Sequence, residues 1–77
     1  MPEELIPFFS ELYNKHLELN TRFKLIYSSD PVKKLEEIKN LEFLQDNGYI
    51  ILSGKTTGMC HIKFTQYGIE YAEDLNL

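Results

Sequence analysis

Cysteine is nearly missing from this 77-residue chain: Cys60 stands alone, which excludes an intrachain disulfide and any zinc site built on several cysteines. Tryptophan is absent altogether. No apolar stretch approaches the roughly 20 residues that a membrane-crossing helix needs. The acidic start, Met1-Pro2-Glu3-Glu4, has no basic segment leading into an apolar run, so no secretory signal is expected. These absences predict a soluble, cytoplasmic protein without membrane contact. Glycine is withheld until Gly48, and all four glycines fall between Gly48 and Gly68. The first half is therefore expected to be helical and the second half to hold the turns. Positive charge is scarce too: eight Lys and Arg face twelve Asp and Glu, a net charge of −4. Polyphosphate binding normally rests on a basic footprint, so any such role depends on where the few cations lie.

Their distribution is uneven. Residues 1–20, 36–46 and 66–77 are each acidic, whereas 21–35 and 47–65 are basic. The cations of those two segments are Arg22, Lys24, Lys33, Lys34, Lys55 and Lys63. One face can then be basic on an acidic molecule. Apolar residues make up 43% of the chain and include five Phe and five Tyr, enough for a core. The absence of repeats, linkers and low-complexity tracts predicts a single domain over 1–77, small enough for homodimerisation to add useful burial.

Along the chain, Pro7 suits a first helical turn. Phe8, Phe9, Leu12, Tyr13, His16, Leu17 and Leu19 then recur at helical intervals, predicting an amphipathic helix that ends near Asn20. Thr21–Ser29 is ambiguous. Phe23, Leu25 and Tyr27 alternate with Arg22 and Lys24, as in a strand, while Asn20 or Thr21 would cap a short helix; the helix is the favoured expectation. Ser29-Asp30-Pro31 starts the next helix, with Asp30 as cap and Pro31 in the first turn. Leu35, Ile38, Leu41 and Leu44 follow at three-residue spacing until Asn47-Gly48 stops it. Its outward side is expected to show Lys33, Glu36, Asn40 and Asn47. Tyr49–Ser53 and Met59–Thr65 form a hairpin across Gly54-Lys-Thr-Thr-Gly58, with Cys60, Ile62 and Phe64 on one face and His61, Lys63 and Thr65 on the other. Thr65 caps a last helix, held down by Ile69, Ala72 and either Tyr71 or Leu75, and Gly68 permits close approach to the sheet.

Two segments in this order, Leu41-Glu-Phe-Leu-Gln-Asp-Asn-Gly-Tyr-Ile50 and Phe64-Thr-Gln-Tyr-Gly-Ile-Glu-Tyr71, resemble the winged helix-turn-helix domains of small prokaryotic and viral DNA-binding regulators. The resemblance covers roughly residues 30–75. It implies an α+β fold with a C-terminal β-hairpin wing and a terminal helix. It further implies a transcription regulator that contacts double-stranded DNA through helix 31–47 and wing 49–65. Carried over position by position, Lys33, Lys34 and Asn40 face the groove, and Lys55, Thr56 and Thr57 meet the backbone. The long first and last helices would support a homodimer. The glutamates Glu36, Glu37 and Glu42 oppose DNA on that helix, and together with the acidic ends they favour the alternative of a protein-interaction module, adaptor or subunit. A structural accessory domain is the third possibility.

Nothing in the sequence points to an enzyme or a cofactor. Gly54-Lys55-Thr56 ends like a phosphate-binding loop, but position 49 is tyrosine where that loop needs glycine, and the segment joins two strands. His16, Cys60 and His61 do not converge as metal ligands, because neighbouring strand residues diverge. Glu36 and Glu37, like Glu73 and Asp74, are adjacent on helices and point about 100° apart, unlike a proton-sharing pair. The five tyrosines are read first as residues of the core rim.

Overall fold

The computed structural model describes residues 1–77. Its regular elements follow in the order α1 (Ile6–Leu19), β1 (Phe23–Ile26), α2 (Pro31–Asp46), β2 (Ile50–Ser53), β3 (Met59–Phe64) and α3 (Gln66–Asp74). A 3-10 turn at Glu3–Leu5 leads into α1, with Pro7 in its first turn. The helix ends where Asn20 turns left-handed at φ 50° and its N–H donates to the His16 carbonyl at 2.7 Å. Asparagine tolerates that conformation better than most residues, which makes it a natural stop.

The short helix expected within 21–29 is not formed: Phe23–Ile26 is a strand. The reason is burial. β1 pairs antiparallel with β3 in the register Phe23↔Ile62 and Leu25↔Cys60, so a period of two delivers both apolar side chains to the core. A helix would have spread them around its circumference. Asn20 is taken up in ending α1 and does not cap a second helix. A single helix therefore lies between the first and second strands, and the second helix of a helix-turn-helix pair is missing.

The sheet has the order β1-β3-β2 and is antiparallel throughout, so β3 is central. Phe23, Ile50, Cys60, Ile62 and Phe64 point to one face and are buried. All three helices pack there, in a core of 13 buried residues. Phe9 of α1 is its pivot, with ring centroids 5.5 Å from Phe64, 5.7 Å from Tyr49 and 5.9 Å from Tyr71. Each such burial is worth about 1.5–3 kcal/mol, and edge-to-face contacts add to it.

α2 begins as expected, with the Asp30 carboxylate accepting from the Val32 N–H at 3.0 Å. Its apolar run behaves differently. Leu41 and Leu44 are buried, but Leu35 is 54% exposed and Val32 is 75% exposed. Residues three apart differ by about 300° around a helix, so a strict three-residue series turns back by about 60° per step. From Leu44 to Leu35 the apolar line has swung to the opposite side. The C-terminal half of α2 buries its leucines against the sheet, and the N-terminal half turns Val32 and Leu35 to solvent.

Gly48, at φ 83°, carries the chain from α2 to β2. The Thr65 hydroxyl caps α3 by accepting from the Gly68 N–H at 2.9 Å, and donates to the carbonyls of Gly48 and Tyr49. A Cβ on Gly68 would lie 2.9 Å from the Tyr49 carbonyl carbon and closer still to its oxygen, so only glycine fits. Ala72 and half-buried Tyr71 and Ile69 hold α3 down, leaving Leu75 exposed. At nine residues α3 is shorter than the expected long last helix. The result is an α+β fold of three α-helices over one face of a three-stranded antiparallel sheet.

Candidate nucleic-acid interface

The six residues singled out from the sequence divide into two groups. Lys34, Lys55, Thr56 and Thr57 come together around a cavity of about 290 Å³ between α2 and the hairpin loop. The floor is apolar, formed by Ile38, Leu41 and Leu52, and Glu42 supplies the only carboxylate at its edge. Lys34 reaches across from α2, its ammonium donating to the Thr57 carbonyl and lying 5.7 Å from the centre of the Tyr27 ring. The Tyr27 phenol is pushed up to about 12 by burial first, then by the neighbouring Cys60 thiol and the negative charges of Glu37 and Glu42. Tyr27 therefore stays neutral at physiological pH and offers Lys34 an uncharged π face.

Lys33 and Asn40 belong elsewhere. They face a groove between α1 and α2 that they share with Glu4, Glu11, Glu36 and Glu37. Glu37 also accepts the Ser28 N–H at 2.8 Å, fixing the β1–α2 turn. Helical geometry explains the division, since consecutive residues such as Lys33 and Lys34 point about 100° apart. A polyanion near Lys33 would meet four carboxylates, so this side of α2 is a poor phosphate surface.

The hairpin loop also departs from its expected role in detail. The Thr56 hydroxyl accepts from the N–H groups of Gly58 and Met59 at 3.2 and 3.1 Å. The Thr56 N–H donates to the Met59 carbonyl at 2.9 Å. Thr56 is committed to holding the loop closed, a side-chain turn of the kind threonine supports. Lys55 and Thr57 remain on the exposed rim.

The face of the sheet turned away from the helices carries cations that sequence reasoning left out of the site. Lys24 and Ile26 of β1, His61 and Lys63 of β3, and Ile51 and Ser53 of β2 point outward by strand alternation. Lys24 lies directly across from His61, and Lys63 directly across from Ile51. All twelve carboxylates of the chain sit on helical segments or, in Asp30, on a helix cap. None lies on a strand or in the hairpin loop. The signal was present in the alternations Arg22-Phe23-Lys24 and His61-Ile62-Lys63, but a basic residue acquires significance only when the partner strands are known.

No three His, Cys, Asp or Glu side chains converge in a way that could hold a metal ion. No helix is long and apolar enough to cross a membrane. Comparison with protein-family models, curated proteins and solved structures finds no match to this chain.

Proposed function

We propose that this chain is a small DNA-binding regulator of winged-helix-like layout that holds duplex DNA by its β-hairpin wing. The observation that carries the reading is the convergence of Lys34, Lys55 and Thr57 at one end of the molecule, where α2 and the wing meet. A protruding loop with two ammonium groups beside it suits phosphate contact in a groove. Helix α2 contributes through Lys34 rather than through Lys33 and Asn40. Duplex is favoured over single strands because stacking requires exposed rings, and the only aromatic residue among the large exposed apolar side chains is Tyr67, away from the wing on α3. The test is fluorescence anisotropy of a labelled random-sequence duplex at low and moderate salt. Micromolar binding that weakens steeply with salt supports the reading, and Lys55→Ala should lower the salt slope by about 1. Absence of binding at low salt, where attraction is greatest, overturns it.

One observation favours a second reading, a protein-interaction module. The exposed Val32 and Leu35 continue through Pro31 and Ile38 into an apolar strip on the N-terminal half of α2. Apolar side chains grouped in this way mark contact surfaces more often than scattered ones do. A second copy would bring the homodimer expected from small size. Sedimentation of the wild type against Val32→Glu/Leu35→Glu separates the two roles: a dimer lost in the variant assigns the strip to self-association, while monomers in both leave DNA binding to act alone.

A further inference from the structure

We infer that the DNA-binding surface extends from the hairpin onto the open face of the sheet, where Arg22, Lys24 and Lys63 receive the phosphate backbone of a duplex. This inference rests on the wing reading above and enlarges its surface.

The cations of the open sheet face are arranged unfavourably for the protein alone. Lys24 and Lys63 stand on neighbouring strands, offset by two residues along the pairing, with His61 between them opposite Lys24. Diagonal neighbours in a sheet are about 7–8 Å apart, within a Debye length at physiological salt. Continuing the antiparallel register by one residue sets Arg22 across from Lys63, another like-charge pair. No carboxylate lies on these strands to offset them, although the chain as a whole carries an excess of negative charge. Ordinary protein surfaces intersperse the two signs. Here the signs are sorted by layer, with carboxylates on the helices and an unrelieved basic cluster on the sheet.

Protection against edge-to-edge aggregation is the common reason for lysine on a strand. It accounts for Lys24, because β1 is an edge. It does not account for Lys63 and His61, because β3 is central and already paired on both sides. The remaining outward residues, Ile26, Ile51, Met59 and Ser53, are neutral and include no aromatic ring. Such a face has charge for phosphates and only the half-covered His61 imidazole as a ring, which favours the backbone of a duplex over stacked bases. Its position also fits, since the hairpin that bears Lys55 is the direct continuation of β2 and β3. Wing and sheet face then form one carboxylate-free surface that carries Lys55, Lys24 and Lys63, with all twelve carboxylates on the helical layer.

The experiment compares two charge reversals of equal size in the full chain, Lys24→Glu/Lys63→Glu on the sheet and Lys15→Glu/Lys33→Glu on the helices. Both change net charge equally, so only position distinguishes them. Binding of a labelled random-sequence duplex is titrated over a range of salt, and circular dichroism checks that each variant melts as the wild type does. The expected result is a loss of about tenfold or more for the sheet variant at low salt, with a salt slope smaller by about 2, and a much smaller change for the helix variant. The neutral variant Lys24→Gln/Lys63→Gln should fall between the wild type and the sheet reversal, and serves if the reversal unfolds. Equal losses in the two reversals, or wild-type affinity in the neutral sheet variant, overturn the inference while leaving the wing reading standing. A wild type that fails to bind duplex at low salt overturns both. Tighter binding to single strands than to duplex overturns the assignment of the face to a duplex backbone.

Discussion

The two faces of the sheet are made from the same three strands, and alternate residues of each strand serve opposite purposes. Inward, Phe23, Ile50, Cys60, Ile62 and Phe64 are almost completely buried under the helices. Outward, Lys24, Ile26, Ile51 and Lys63 are exposed and His61, Met59 and Ser53 half-covered. Stability and charge are thus carried by separate sets of side chains one residue apart. Changes on the inner face should therefore register in unfolding, and changes on the outer face in binding to a polyanion.

The strongest test of that separation is the inner pivot. Phe9→Ala should cost about 3–5 kcal/mol in urea unfolding, because the Phe9 ring touches Phe64, Tyr49 and Tyr71. That loss approaches the whole stability of a domain this small. Gly68→Ala should cost about 1–3 kcal/mol, since α3 must lift from the Tyr49 carbonyl to admit a methyl group. Removing the cap with Thr65→Ala should cost about 1 kcal/mol, with Thr65→Ser restoring most of it.

A pH titration sharpens the same contrast. Burial, followed by interactions with Tyr67 and Tyr71, pushes the Tyr49 phenol up to about 12, and Tyr27 is raised similarly. Unfolded tyrosine ionises near pH 10, so above that pH the unfolded chain loses protons that the native state keeps. Stability is complete below pH 10 and declines as pH rises toward 12. Tyr49→Phe should flatten that decline in alkaline denaturation monitored by circular dichroism. The smallest effect is expected outside: Lys63→Gln should change unfolding free energy by less than about 0.5 kcal/mol, whatever it does to DNA affinity. A large loss there would show that the outer face carries stability as well as charge.

Much of this arrangement was legible in the sequence, and the failures have physical causes. Asp30-Pro31, Thr65 and Gly68 announced their roles because caps and close approaches depend on local chemistry. The alternation of Cys60, Ile62 and Phe64 gave the inner face of β3 for the same reason. Phe23–Ile26 was misjudged because four residues fit either period, and the choice was made by a partner strand more than thirty residues away. Leu35 looked like core because three-residue spacing suggests a helical stripe, yet its slow rotation carries the residue out to solvent. The resemblance assigns Lys33 and Lys34 alike to the groove, whereas α2 points them to different environments, one among carboxylates and one toward the wing. The sheet-face cations were visible as residues but not as a cluster, since β1 and β3 are joined only by the register.

An amide-resolved NMR titration of the full chain with a short duplex at low salt shows directly which face meets DNA. Perturbations are expected in residues 22–26 and 54–63 together with Lys34, with the outward sides of α1 and α3 unchanged. Perturbations centred on Lys33, Glu36 and Asn40, with the sheet residues silent, would contradict that assignment.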